Sequence, residues 1–306
     1  MSVKAPRPSM EEIGRTQNLE VNLRRQLAAR KVYLRGKQMY FGGFSFAVLI
    51  ALASPVVVFL QPGWAPGLGA VAGAWLFASR LVLEPWRQRL QLEGAAAQEM
   101  FDCAVLGLDW NRSLAKRLPE EQVNRLSGNP LKAERVIDWY PTDRPMAWPA
   151  SVLTCQRSNA VWARRQHQAF GNLLVWAAVL WVVIGIILAV AIGSSLAAYL
   201  VAIAMPSLPA LLDALDMSRG HSRAANARQL LEDTIELHMA EGGATHNSLR
   251  EVQDQLFVLR KEAPLVPEWY YKIIKPGFET DMRYAASLVA DSSQGVDPVE
   301  RGDAPK

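Results

Sequence analysis

Two stretches of the sequence bring arginine, amide and aromatic side chains close together. The first contains Trp139 and Tyr140, and the second contains Gln156, Arg157, Asn159, Trp162, Arg164 and Arg165. Guanidinium groups bind phosphate oxygens through paired hydrogen bonds, and aromatic faces stack on nucleobases. These residues therefore form a candidate anion-binding or nucleotide-binding site.

The same residues also fit a structural role at a membrane surface. Arg164 and Arg165 would then extend to anionic lipid headgroups, and Trp162 would join the aromatic belt at the interface. Arg157 would pair with a carboxylate such as Asp102. The sequence leaves both interpretations open.

Sequence motifs for catalysis are absent. There is no phosphate-binding loop of the G-x-x-x-x-G-K-[ST] type, no H-E-x-x-H and no C-x-x-C. Cys155 and His167 lie on one predicted helix, about 18 Å apart along its axis, which is too far for a nucleophile and its base. The C-terminal histidines lack metal-ligand spacing. We therefore predict that the protein is not an enzyme and holds no metal and no cofactor.

A second charged group lies at the ends of apolar sequence. Arg80 and Glu84 are spaced as neighbours on one helix face, and Asp213 and Asp216 follow another apolar run. Ionisable groups this close to the hydrocarbon edge line conduction paths in some proteins. In others they only anchor helices at the interface, so we treat these four residues as a candidate pore mouth with that alternative open.

The elements that position these residues include membrane helices. No charged residue or histidine occurs from Phe41 to Ser79 or from Gly171 to Leu212. One span needs about 20 apolar residues, so each block fits two spans and a turn. Turn signals at 61–63 and 193–195 divide the blocks. The resulting spans one to four cover 41–60, 64–83, 173–192 and 196–215.

Basic residues set the predicted orientation. Residues 1–40 contain nine Lys or Arg against three Glu, whereas the two hairpin tips contain no charge. Because basic loops are retained on the cytosolic side, we predict that both termini and the central segment are cytosolic. Thiols stay reduced there, so no disulfide is expected between the two cysteines.

The predicted fold is all-α, a multi-pass membrane protein with two transmembrane hairpins and a helical cytosolic domain built from three separate segments. The segments are a cytosolic N-terminal helix at 1–40, hairpin 1 at 41–83, a cytosolic helical segment at 84–172, hairpin 2 at 173–215, a second cytosolic helical segment at 216–290 and a disordered tail at 291–306. The second span is expected to continue as a helix from Trp86 to Leu118. An apolar seam of Leu249, Val252, Leu256 and Leu259 is expected to pack within the chain or between protomers.

Several motifs resemble one protein family. They are Gln17-Asn18 before span one, Gln98-Glu99-Met100-Phe101-Asp102 after span two, Trp139-Tyr140-Pro141, and Cys155-Gln156-Arg157-Ser158-Asn159 with Trp162 before span three. They resemble the SMODS-associating four-transmembrane effectors of bacterial anti-phage (CBASS-type) defence, over residues 13 to about 290.

The resemblance implies a pore-forming membrane effector located in the bacterial inner membrane. Its activating ligand would be a cyclic di- or oligonucleotide made by a partner nucleotidyltransferase, and its other partners would be the lipid bilayer and further copies of the chain in a homo-oligomer. No binding of DNA or RNA is expected. The rival functions are a membrane signalling scaffold or sensor that forms no pore and, third, a small transporter.

Overall fold

The computed structural model describes residues 6–128 and 136–274, and all regular elements within these ranges are helical. The helices are α1 Met10–Gln17, α2 Glu20–Leu60, α3 Ala65–Ala78, α4 Glu84–Leu106, α5 Glu120–Ser127, α6 Ala150–Ala191, α7 Leu196–Tyr199, α8 Met205–Glu241 and α9 His246–Glu262. π-Helical turns at Ser79–Leu83 and Leu200–Ala204 join α3 to α4 and α7 to α8 without a break. A last helical segment occupies 268–274.

Four helical runs are long and apolar enough to cross a membrane: Glu20–Val57, Pro66–Leu106, Ala150–Ala191 and Leu196–Glu241. The prediction of an all-α protein with four membrane-spanning helices is therefore confirmed. Each run holds a span at one end and polar sequence at the other. Each run passes from span to polar sequence without leaving the helical conformation, so the spans are structurally continuous with the polar part of the molecule.

The polar part, here called the polar domain, comprises residues 6–40, 84–128, 136–172 and 216–274. Its core contains side chains from α1, α4, α6, α8 and α9, including Ile13, Phe101, Leu153 and Ile235. Leu249, Val252 and Leu256 belong to the same core, and Leu259 packs against it. The predicted apolar seam therefore packs within the chain.

The N-terminal segment contains two helices where the sequence predicted one. The junction between α1 and α2 contacts the loop that contains Tyr140. The side-chain amide of Gln17 accepts from Tyr140 N at 2.8 Å and donates to Tyr140 O at 3.2 Å. Asn18 Nδ2 donates to Asp138 Oδ1 at 2.8 Å. A regular helix through these positions would leave the 138–140 backbone without these partners.

The helix that follows span two is shorter than predicted. It ends at Leu106, where Gly107 adopts a left-handed φ of 67° and its N–H bonds Cys103 O. Glycine is favoured at this position because it has no Cβ to clash. Cys103 and Cys155 are both free and buried, as expected for reduced thiols. The predicted tail at 291–306 lies outside the described residues.

Candidate functional site

A cavity of about 220 Å³, here called the central cavity, lies in the polar domain between the four long helices. Each of the four long helical runs contributes to its wall: Arg30 and Lys37 from α2, Gln91 from α4, Trp162 from α6 and Arg228 from α8. The end of α9 and residues 263–271 close it. A molecule bound there would contact all four membrane helices through their polar ends.

The central cavity is rich in positive charge. Arg30, Lys37, Arg228 and Arg260 line it, and Glu268 is the one carboxylate among its described lining residues. A site lined by one sign of charge attracts ligands of the opposite sign. The cavity therefore has the electrostatics of an anion site.

Arg228 is the most unusual of these cations. It is 3% exposed, and it donates only to backbone carbonyls, those of Ala224 at 2.9 Å and Leu259 at 3.2 Å. No carboxylate in the described parts of the chain lies within ion-pair distance of it. Burial without a counter-ion is costly for a charged group, so a site that retains such an arginine is suited to an incoming anion.

One nitrogen of the Arg260 guanidinium is paired with a carboxylate, and another has no hydrogen-bond partner among the described residues. Its Nη1 donates to Asp102 at 2.5 Å, while its Nη2 is buried without a hydrogen-bond partner in residues 6–128 and 136–274. Burial opposes the charge of the guanidinium, but the adjacent Asp102 carboxylate outweighs this effect and raises the pKa of Arg260. Arg260 is therefore a fixed cation with one donor to spare.

Other lining groups are also unsatisfied. Tyr33 Oη and Gln26 Oε1 are buried and have no hydrogen-bond partner within the described ranges. Because more than about nine in ten buried polar groups in proteins are paired, such a group near a cavity indicates a place for a polar ligand. Aromatic rings of Tyr33, Trp139, Trp162 and Tyr271 complete the wall and offer stacking faces.

Three of the predicted site residues line the central cavity: Trp139, Asn159 and Trp162. Two others hold the core together instead. Tyr140 is 1% exposed, and its hydroxyl donates to Asp102 at 2.6 Å and accepts from Asn159 Nδ2 at 2.9 Å. Burial raises the pKa of the Tyr140 phenol well above its usual value, which keeps the donated proton in place. Gln156 is fully buried and donates to Leu249 O at 2.8 Å.

The predicted arginines are not in the cavity wall. Arg157 pairs with Glu232 at 3.1 Å and Glu236 at 2.6 Å, and Arg164 pairs with Glu232 at 2.9 Å. The suggestion that Arg157 pairs with Asp102 is wrong, because Asp102 binds Arg260, Tyr140 and Gln253. Arg165 is also not part of the described cavity wall. The two ion-paired arginines have their charge matched by α8.

The candidate pore-mouth residues lie where spans two and four join the polar domain. Arg80 contacts Asp213 at 3.0 Å and Asp216 at 2.9 Å, which links span two to span four. Glu84 contacts Arg87 at 2.6 Å on its own helix. These charges border a second hollow of about 470 Å³, which also contains Tyr40 and Arg223. Opposite charges alternate around it, so it lacks the one-signed character of the central cavity.

The comparison with known families decides the identity of the fold. The family model described as the SMODS-associating 4TM effector domain matches residues 11–289. The chain belongs to the SMODS-associating 4TM effector family. A relative from Bacillus cereus (strain VD146), described as a probable CBASS effector molecule, is 26% identical over 271 residues, which are 83% of this chain and 90% of the relative. No solved structure matches the chain.

Membership in this effector family makes the chain a membrane effector of anti-phage defence. The family match covers both the spans and the polar domain with its central cavity. The five charged residues of the cavity wall have no part in the sequence-predicted site; they are Arg30, Lys37, Arg228, Arg260 and Glu268. Arg30 and Lys37 lie seven positions apart, two turns on one face of α2, and that spacing was the available signal.

Proposed function

We propose that this effector responds to a cyclic di- or oligonucleotide in the central cavity by oligomerising and permeabilising the cytoplasmic membrane. The observation that supports this proposal is Arg228, a buried cation without a carboxylate partner among the described residues. Arg228 lies in a cavity wall to which all four long helical runs contribute. A cyclic dinucleotide presents two phosphodiesters and two bases, and the cavity offers cations and aromatic rings that suit both.

The proposed topology places the polar domain in the cytosol. The excess of Lys and Arg in residues 1–40 supports this orientation, and the hairpin tips contain no charge. A nucleotide made by a cytosolic partner nucleotidyltransferase would then reach the cavity without crossing the membrane. Nothing in this mechanism requires a catalytic group, and a non-enzymatic role fits the buried state of both cysteines.

The proposed response travels along the helices. Ligand binding draws Arg30 and Lys37 on α2 and Arg228 on α8 toward shared phosphates, and both helices continue into the membrane. Neighbouring contacts carry the movement across, since Ser218 Oγ donates to Gly171 O at 3.0 Å between α8 and α6. The spans change tilt or rotation relative to one another as a result.

Pore formation would need several protomers. In the most apolar window of each long helix only 6–22% of the residues are buried within the chain. On α3, a Cβ built on Gly67, Gly69 or Gly73 would meet no atom within 4 Å. Small residues let membrane helices approach closely, and Gly69 and Gly73 lie four positions apart on one face of α3, so that face is available for packing against another copy.

Dye release from liposomes tests the proposal. Purified protein in vesicles of bacterial lipids is mixed with cyclic di-AMP, cyclic di-GMP, cyclic GMP-AMP and cyclic trinucleotides. We expect one of them to release dye from vesicles containing the wild-type chain but not from vesicles containing Arg228→Met. Tight binding without leakage, and without conductance in planar bilayers, would contradict pore formation and favour the signalling scaffold.

A further inference from the structure

Residues 263–274, here called the strap, follow α9 and pass beneath the inner ends of the spans. Two bonds anchor its beginning, since Gln91 Nε2 on α4 donates to Arg260 O at 2.8 Å and also to Ala263 O. Further on, an ideal Cβ on Gly36 of α2 would lie 3.2 Å from Leu265 Cδ1. The strap is therefore seated closely against two of the long helices.

Glu268 of the strap lies between the two cations of α2. Its Oε1 accepts from Arg30 Nη2 at 2.8 Å, and its Oε2 accepts from Lys37 Nζ at 3.2 Å. These side chains are only 19–28% exposed. Neither Arg30 nor Lys37 is within ion-pair distance of another carboxylate in the described residues.

This arrangement has the form of an occupied phosphate site. A phosphodiester has one negative charge and two free oxygens, which are the same features that Glu268 presents to Arg30 and Lys37. Charge-assisted hydrogen bonds from such donors are made equally to carboxylate and to phosphate. The Tyr271 ring, on the same strap, lies 5.6 Å from Lys37 Nζ and 6.0 Å from the ring of Trp162, so the cation pair has a stacking surface beside it.

We infer that Arg30 and Lys37 form a phosphodiester-binding site that Glu268 occupies in the resting chain, and that the activating nucleotide displaces Glu268. The inference rests on the proposed function, because it assumes that the central cavity binds a nucleotide. The incoming ligand has an advantage over the single carboxylate. It also reaches Arg228 and the spare donor of Arg260, which Glu268 does not contact.

Displacement of Glu268 would act directly on the membrane helices. Val266 and Tyr270 of the strap pack in a cluster with Phe170, Leu174 and Met217, at the inner ends of spans three and four, and with Phe41 in span one. The Tyr270 ring lies 5.1 Å from the Phe170 ring. When Glu268 leaves Arg30 and Lys37, the same short segment loses its hold on this cluster, and the spans are released from the contact.

The deciding variant is Glu268→Gln, which keeps the shape of the side chain and removes its charge. The matched control is Glu251→Gln, an exposed position on α9. Two readouts are used on full-length protein in detergent: affinity for the cyclic nucleotides named above by calorimetry, and hydrogen exchange of strap amides without nucleotide. We expect Glu268→Gln to bind nucleotide about tenfold more tightly and to exchange faster from 263 to 274, with Glu251→Gln like wild type.

The two measurements distinguish failure of the inference about Glu268 from failure of the proposed function. Equal nucleotide affinity in Glu268→Gln and wild type would overturn the inference while leaving the proposed function intact. If no nucleotide binds either protein, the proposed function fails, and the exchange result alone then decides whether Glu268 holds the strap. If the strap amides exchange as slowly in Glu268→Gln as in wild type, Glu268 does not hold the strap. An Arg30→Ala variant should weaken binding and abolish the gain from Glu268→Gln in the double variant.

Discussion

Two groups of residues in the polar domain are both rich in arginine but differ in charge balance. In the first, Arg157 and Arg164 of α6 face Glu232 and Glu236 of α8, so that two cations meet two carboxylates. In the second, Arg30 and Lys37 share Glu268, Arg260 pairs with Asp102 and Glu99, and Arg228 has no carboxylate within ion-pair distance among the described residues. The first group joins two helices, whereas the second has unused capacity for an anion.

The contrast teaches that the number of arginines in a segment is a poor guide to a ligand site. What matters is whether the fold supplies each cation with a carboxylate. Buried ion pairs that are complete mainly offset their own desolvation, while an incomplete set gains by binding an external anion. Three predictions challenge this distinction, in order of decreasing effect.

The largest effect is expected where a cavity cation depends on a buried carboxylate. Asp102→Ala removes the nearer ion-pair partner of Arg260, leaves only Glu99 at 3.7 Å, and also removes the acceptor of the Tyr140 hydroxyl. Breaking a buried pair from one side costs about 3–5 kcal/mol of unfolding free energy. Chemical denaturation in detergent measures this loss, and a cost below about 1 kcal/mol would mean that the pair is not a structural contact.

A smaller effect on stability and a large one on binding are expected at Arg228. Arg228→Met keeps much of the volume and removes a buried charge that has no carboxylate partner in the described ranges. Nucleotide affinity should fall about 100-fold, as expected when one member of a buried charge contact is lost. The melting temperature should stay the same or rise, because a buried charge is replaced by an apolar side chain. Unchanged affinity would remove the basis of the proposed site.

The smallest effect is expected in the balanced group. Arg157→Ala breaks its contacts with Glu232 and Glu236, but Arg164 still pairs with Glu232. Partly exposed ion pairs contribute about 0–1 kcal/mol, so unfolding should be nearly unaffected and nucleotide affinity should change less than about twofold. Calorimetry on this variant beside Arg228→Met provides the matched comparison. A large loss of affinity in Arg157→Ala would reverse the roles assigned to the two groups.

The sequence is enough to predict the membrane helices and some of the residues that line the central cavity. Charge-free blocks specify the spans because hydrocarbon admits few alternatives to a helix. Trp139, Asn159 and Trp162 were predicted as site residues and do line the cavity. Tyr140 and Gln156 belong to the same motifs, but motif spacing does not reveal which side chains turn into the core.

The remaining cavity residues were beyond reach because the fold assembles them from distant segments. Arg30 and Glu268 are 238 positions apart and meet only when the strap crosses α2. Arg228 is a single basic residue and Arg260 stands beside Lys261, both within ordinary helical sequence. Arg228 is significant because no carboxylate of the described residues lies within ion-pair distance of it, and the spacing of residues along a chain contains no information about that.

The position of the strap in the sequence affects what an incompletely synthesised chain is able to do. A ribosome makes α2, α4, α6 and α8 before it makes Arg260, Glu268 and Tyr271, so an unfinished chain has inserted spans but an incomplete cavity. The proposed ligand site and the carboxylate proposed to occupy it are therefore completed together, after all four spans have been synthesised. Under the proposed function, a nascent chain is thus unable to respond to the activating nucleotide until the strap, with Glu268, has also been synthesised.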